Sequence, residues 1–364
     1  MTHRLRTVLA IVVAVLVVPG TAVAASQQDA HAGHRASAAH DFRFPGADTI
    51  PLQDGSGRYI TYGASAQGRK VPFSISGHGG DVGTSRKIAG DALPNGGGSW
   101  TKPGSGIWAP GAFYHVKKGV GRYYLFYTGL TKAGRRCIGV ASSTSATAGF
   151  ATSAKPLLCP TKGTRWALDA DVTSGPDGAI WLVWRDGQRA IGAESAISAV
   201  LLKLTKLGVV HMVTKPKVIM RSNNLTWAHY KDGSGVTVIE NPSAIYLRGS
   251  WYLFFSGNSW PTNYYATGVA YCGAALNDGL CRSMPGPKRA YFSYSGPKVH
   301  LPASMRYRGL PGNYRGPGAM AVYLNNVGKP WVTWNYLHSG GRRSTTAHLR
   351  VRGTGGAATF RVVR

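Results

Sequence analysis

The stretch ENPSAIYLRGSWYLFFSG, residues 240–257, reads as two short strands joined by a turn at RGS. β-Branched and aromatic residues fill both halves, the composition of strands packed on both faces. Its first strand opens with Glu240, one of two Glu residues in the chain and an unexpected head for an apolar hairpin.

The same plan recurs along the chain. RYITYGAS (58–65), RYYLFYTG (122–129), IWLVWRDG (180–187) and PWVTWNYLH (330–338) match SWYLFFSG. A turn signal precedes each: QDGSG, KKGVG, GPDG and NNVGK. Before each turn lies another short strand, and a third often follows, as in CIGVASS (137–143) and ATGVAYC (266–272). Tyr59, Tyr123, Trp181, Trp251 and Trp331 mark equivalent points, separated by 64, 58, 70 and 80 residues. Units of three or four strands at this spacing predict an all-β fold, a five-bladed β-propeller, in which blades must stack to bury their faces. A sandwich with coincidentally aromatic strands is the weaker alternative.

Residues outside the repeats carry targeting signals. Residues 1–24 combine Arg4 and Arg6, an apolar run and a small-residue exit at Ala22-Val23-Ala24, the pattern of a secretory signal peptide. The apolar run is too short to span a bilayer, so no membrane insertion is expected. Residues 25–40 are small and polar and are expected to form a disordered leader, leaving 41–364 as the propeller. Export permits disulfides, and proximity favours Cys137–Cys159 and Cys272–Cys281 among three connectivities. The formal charge is +28, from 42 Lys and Arg against 14 Asp and Glu. The basic residues are spread, with no nucleic-acid motif, so no nucleic-acid partner is expected. The charge fits a solvated basic surface or attraction to an anionic polysaccharide.

In a propeller the first strand of each blade lines the central channel. The residues heading these strands are Asp48, Pro110-Gly111, Asp169, Glu240 and Gly318. They stand 11 to 13 residues before the marker aromatics, which predicts nearly equivalent positions. Three of the 14 acidic residues thus converge on one funnel. Clustered carboxylates repel and lose hydration, which raises the pKa of at least one, as acid–base chemistry on an acetal requires.

At these residues the sequence resembles glycoside hydrolase family 43, from about Phe44 to the C-terminus. IWAPGAFYHVKKGVGRYYLFYTG resembles its Trp-Ala-Pro strand, and WALDADVTSGPDGAIWLVW its Ile-Asp-Pro segment. IENPSAIYLRGSWYLFFSG resembles its Glu-bearing strand, and YRGPGAMAVY its Gly-Pro-Gly turn. The resemblance implies Asp48 as general base, Glu240 as general acid and Asp169 as a third carboxylate that orients the acid. It also implies inversion of the anomeric centre. Thr49 departs from the family's Pro after the first Asp, which leaves Asp41 as a weaker rival for the base. Gly111 replaces an acidic residue, and Ala319 replaces a His that commonly helps hold a metal or water. No metal and no cofactor are therefore expected; His338 is the remaining candidate ligand.

Sugar sites need flat apolar faces with hydrogen-bonding groups. Trp108, Asn258 and Trp260 are the expected substrate contacts, with Trp166, Trp227 and His229 nearby. Arg343 matches the family's substrate-binding Arg, with Arg342 an equal alternative. The expectation is a secreted, extracellular, monomeric inverting glycosidase acting on plant or microbial cell-wall polysaccharide. α-L-Arabinofuranosidase or arabinanase comes first and β-xylosidase next. A non-catalytic propeller that binds anionic polysaccharide is the rival class.

Overall fold

The computed structural model describes residues 44–76, 87–160, 165–188, 194–229, 238–294, 310, 314–338 and 341–363. The stretches expected to form a signal peptide and a leader lie outside the described residues, as do Asp41 and the side chain of His229.

The described strands form five antiparallel sheets, each built from one contiguous stretch of chain. Blade 1 holds β1 (Asp48–Pro51), β2 (Tyr59–Tyr62), β3 (Pro72–Ser76) and β4 (Gly90–Asp91). Blade 2 holds β5 (Trp108–Lys117), β6 (Val120–Leu130), β7 (Arg136–Ser143) and β8 (Ala151–Thr152). Blade 3 holds β9 (Arg165–Ser174), β10 (Ile180–Gln188), β11 (Ser195–Leu204) and β12 (Val210–Met212), and β13 (Lys217–Arg221) also pairs with β11. Blade 4 holds β14 (Ile239–Leu247), β15 (Ser250–Gly257), β16 (Ala266–Gly273) and β17 (Arg282–Met284). Blade 5 holds β18 (Arg315–Leu324), β19 (Pro330–His338), β20 (Gly341–Arg352) and β21 (Thr359–Val363). The first strands are neighbours in the order β1, β5, β9, β14, β18, and β18 returns to β1. This is the expected five-bladed propeller.

The core lies between blades. Ile50 and Tyr62 meet Leu125 across the first seam, and Phe126 meets Leu182 and Trp184 across the second. Val183 and Ile197 meet Leu253 and Phe255 across the third, and Tyr252 and Phe254 meet Val332 and Trp334 across the fourth. Each such side chain contributes about 1.5–3 kcal/mol by leaving water. Trp227 is 1% exposed and packs on Phe255, so it belongs to this core. The marker aromatics are seam residues too; Tyr59 and Trp331 form the cluster between blades 5 and 1 with Tyr323.

Among the described residues no strand is exchanged between blades 5 and 1, and side chains join them. The Thr49 and Thr333 hydroxyls are 2.8 Å apart, and the Gly46 amide donates to Asn335 Oδ1 at 2.9 Å. The Ser344 hydroxyl donates to the Phe44 carbonyl at 2.8 Å. Asn335 is fully buried, so Asn335→Ala leaves the Gly46 amide without its acceptor. The expected loss is about 1–3 kcal/mol of stability, read from denaturant midpoints.

The disulfides join Cys137 to Cys159 and Cys272 to Cys281, as proximity favoured. The first ties β7 to the segment leading into β9. Among the described residues no helix is long and apolar enough to cross a membrane.

Candidate active site

Each first strand reaches the channel through the same irregularity. In blade 4, Glu240 pairs with Ser256 and Ser243 with Phe254, so two residues, Asn241 and Pro242, face one, Phe255. The same two-against-one bulge separates Trp108 from Gly111, Leu168 from Asp171 and Gly318 from Ala321. In blade 1 the Ala64 amide bonds to the Pro45 carbonyl and Asp48 pairs with Tyr62, the same count again. One residue inside each bulge has a positive φ: Gly46 (57°), Ala109 (37°), Asp169 (56°), Asn241 (48°) and Ala319 (48°). Bulges re-aim side chains at the ends of sheets. Here they place five equivalent residues around one mouth.

These equivalences stagger the three predicted carboxylates. Asp169 occupies the bulge position itself. Glu240 lies one residue nearer the rim, level with Trp108. Asp48 lies two residues deeper, level with Gly111, Asp171, Ser243 and Ala321. Asp48, Asp169 and Asp171 line a channel cavity of about 40 Å³ together with Ala109, Asn241 and Ala319. Below Asp48 and Asp171 the channel widens into a second cavity of about 250 Å³, lined also by Tyr114, Tyr246 and Tyr323. The two aspartates form the neck between them.

The mouth is a connected polar network. Glu240 Oε2 accepts from Arg185 Nη1 at 3.3 Å, an ion pair with side chains 13% and 10% exposed. Glu240 Oε1 accepts from the Tyr265 hydroxyl at 3.0 Å, which accepts from Asn241 Nδ2 at 2.8 Å. The Asn241 amide donates to Asp169 Oδ2 at 3.1 Å. A chain of hydrogen bonds therefore runs from Asp169 to Glu240. Tyr265 is fully buried, and its ring fits because residue 318 is Gly: a Cβ there would lie 2.2 Å from the ring. Burial first, and the charge of Glu240 second, push Asp169 up to about 7. Burial pushes Asp171 up to about 6. Burial and the neighbouring Asp171 hold Asp48 well above the usual carboxylate range.

The expected substrate contacts separate into two groups. Trp108 and Trp260 are each 40% exposed. The Arg136 guanidinium lies 3.4 Å from the Trp108 ring centroid, and that of Arg342 lies 5.1 Å from the Trp260 ring. Both arginines are buried, and stacking of this kind stiffens an indole while leaving area open. Asn258, by contrast, is 1% exposed, and its Nδ2 donates to the Tyr264 carbonyl at 3.0 Å. It holds the loop that carries Trp260. Trp166 is half-buried on β9.

Of the two adjacent arginines, Arg342 faces the site. Its Nε donates to the Trp260 carbonyl and its Nη1 to that of Gly316, both at 2.7 Å, and its guanidinium covers Tyr265 at 4.7 Å. Arg343, the expected contact, follows it on β20 and projects from the opposite face, because strand side chains alternate. Burial lowers Arg342 to about 10.

Ala319 holds the bulge position of blade 5, where the resemblance would put a metal-holding His. Among the described residues no group of three or more His, Cys, Asp or Glu is placed so that it could hold a metal ion. The channel residues do not fit a metal, and His338 stands beside Tyr336, 6.5 Å between ring centroids. Gly111 has a packing reason: a Cβ there would lie 2.2 Å from the Ala170 carbonyl oxygen of blade 3.

Arg185, Tyr265, Asp171 and Arg136 are site residues that the sequence reading did not single out. Arg185 carried a signal, as a cation closing the apolar run IWLVW. Tyr265 carried none, since tyrosines crowd every blade.

The model of the family described as glycosyl hydrolases family 43 matches residues 45–289, two thirds of the chain. The protein belongs to glycosyl hydrolases family 43. Solved structures of similar fold include a thermostable family-43 glycoside hydrolase, at 18% identity and TM-score 0.64, covering 88% of this chain and 92% of that one. An endo-1,4-β-xylanase from Bacteroides thetaiotaomicron matches at 18% identity and TM-score 0.60, over 90% and 97% of the two chains. An α-L-arabinofuranosidase from Lactobacillus brevis matches at 15% identity and TM-score 0.61, over 86% and 92%. No curated protein matches the sequence. As a family 43 member the chain is a glycoside hydrolase.

Proposed function

We propose that this family 43 protein is a secreted, inverting glycosidase of arabinose-containing cell-wall polysaccharide, an α-L-arabinofuranosidase or arabinanase. The observation that carries the reading is the mouth network: Glu240, aimed by Arg185 and Tyr265, is hydrogen-bonded through Asn241 to Asp169. Glu240 gives its proton to the leaving glycosidic oxygen as the anomeric C–O bond breaks and its electron pair moves to that oxygen. A water attacks from the opposite face and yields its proton to a channel aspartate. The sum is one water added across one acetal. Inversion needs the two carboxyls roughly 6.5–9.5 Å apart, with the water between them. Trp108 and Trp260 offer the flat faces for sugar rings at the rim, and Arg342 braces the second.

The choice of arabinose over xylose follows the sequence resemblance; similar folds include enzymes named for both sugars. The test is release from aryl arabinofuranoside, aryl xyloside, linear arabinan and arabinoxylan by the protein without its signal peptide. Faster turnover of the arabinofuranoside or arabinan is expected. Faster turnover of the xyloside moves the protein to the β-xylosidases. Salt-sensitive polysaccharide binding without release from any substrate would sink the catalytic reading.

A further inference from the structure

We propose that Asp171 is a positioning residue for the reaction: its carboxylate faces Asp48 across the neck of the channel and strengthens Asp48 as the base toward the attacking water. This rests on the hydrolytic reading above, with Asp48 in the role of base that the family resemblance gives it.

The blade equivalences place the pair. Asp48 and Asp171 occupy the same position in blades 1 and 3, two residues beyond the bulge residue. Blade 2 lies between them and holds Gly111 there. A Cβ on Gly111 would lie 2.2 Å from the Ala170 carbonyl oxygen, so no blade-2 side chain comes between the two carboxyls. Blades 4 and 5 hold Ser243 and Ala321 at this level. Asp48 and Asp171 are therefore the two acids in this ring of five, and both line the cavity above it and the cavity below.

Packing alone does not call for an acid at 171. Asp171 Oδ2 accepts the Ala244 amide of blade 4 at 3.2 Å. One blade on, Ser243 Oγ accepts the Val322 amide of blade 5 in the same way at 3.0 Å. A serine makes the inter-blade bond, so the bond needs an acceptor and not a charge. A carboxylate buried here loses its hydration, which opposes the charge. The acid at 171 is thus surplus to the packing, and the one carboxyl at its own level is Asp48.

Asp48 is fixed where that charge acts. Its Oδ2 accepts the Ala112 amide at 2.6 Å and its Oδ1 the Thr49 amide at 2.8 Å. Around it stand Tyr62 on β2, Tyr114 on β5, Asp169 and Asp171 on β9, Tyr246 on β14 and Tyr323 on β18. Burial holds Tyr62 and Tyr323 well above the usual phenol range, so both stay neutral. Among the described residues no Lys, Arg or His lines either cavity. Burial first and the Asp171 charge second push Asp48 up, against the pull of its two amides. A base so raised ionises at higher pH and, once ionised, takes a proton more readily.

The step balances as follows. The water oxygen bonds to the anomeric carbon while one water proton passes to Asp48. The anomeric C–O bond breaks, and the leaving oxygen takes the Glu240 proton. Asp171 stays ionised and exchanges nothing.

The test is the pH profile of kcat/KM on an activated aryl glycoside for wild type, Asp171→Asn and Asp171→Ser. Both variants keep an acceptor for the Ala244 amide. The acid limb, set by ionisation of Asp48, should move down by about one pH unit in each. Above the limb kcat should fall roughly three-fold, as a Brønsted dependence of about one half gives for one pH unit, with KM unchanged. A packing role lowers activity alike at every pH and leaves the limb in place; an unmoved or rising limb in either variant overturns the proposal. Asp48 is also read without turnover, by 13C NMR of labelled Asp carboxyls, its signal identified by its loss in Asp48→Asn. Its midpoint should fall in Asp171→Asn, and an unmoved midpoint overturns the coupling. A wild-type protein inactive on every substrate defeats the hydrolytic reading and with it the base, while the NMR midpoint still decides whether Asp171 acts on Asp48.

Discussion

Glu240→Gln is expected to lower kcat on an aryl glycoside with a poor leaving group by about 10²–10⁴, the span of general acid catalysis. The loss should shrink as the leaving group improves, because a dinitrophenolate departs without a proton. That dependence separates a proton donor from a residue that merely shapes the mouth, whose removal slows all substrates alike. Gln keeps a carbonyl oxygen for one of the two bonds now made by Tyr265 and Arg185, so the fold should survive. Tyr265→Phe removes only the hydroxyl link between Asn241 and Glu240 and should give the same trend at smaller size. A Glu240→Gln variant with undiminished kcat on the poor leaving group would end the assignment of Glu240 as donor.

The propeller was legible because stacked blades need strand–turn–strand units with aromatic seams, and that demand repeats five times. The identity of the mouth residues was only half legible, for a geometric reason. Counting from each head to its marker aromatic adds strand length to turn length. Glu240 begins eight strand residues, through Leu247, before a two-residue turn at Arg248 and Gly249. Asp48 begins four, through Pro51, before the seven residues 52–58. With Ser250, which precedes Trp251 on β15, both sums give 11, so a long turn hid the depth of Asp48. Strand registers remove the ambiguity, since pairing counts the strand alone. The sequence left Arg342 and Arg343 equal on another point: the face of a strand is a matter of alternation, and two adjacent arginines leave the phase open.

The buried carboxylates make stability depend on pH in an uncommon direction. Asp169 is raised to about 7 and Asp171 to about 6, while Asp48 also stands well above its ordinary value, with burial the leading cause in each. A raised pKa in the folded state means that the folded chain binds the proton more tightly than the unfolded chain. The stability so gained is fully present below the unfolded value of about 4 and disappears as pH rises through the folded values. For Asp171 the span corresponds to something on the order of 3 kcal/mol. The denaturation midpoint should therefore fall between pH 5 and pH 8. Asp54 works the other way, lowered to about 2 by Ser56 and then Arg58, but it lies at the surface and contributes little. Growing net positive charge also opposes stability at low pH, so the informative quantity is a difference between variants. Asp171→Asn keeps an acceptor for the Ala244 amide but has no proton to lose. It should flatten the decline and be more stable than wild type at pH 8, with little difference at pH 4. A wild type and variant that lose stability in parallel between pH 5 and pH 8 would show that Asp171 titrates normally in the neck, and that the channel there is wetter than its packing implies.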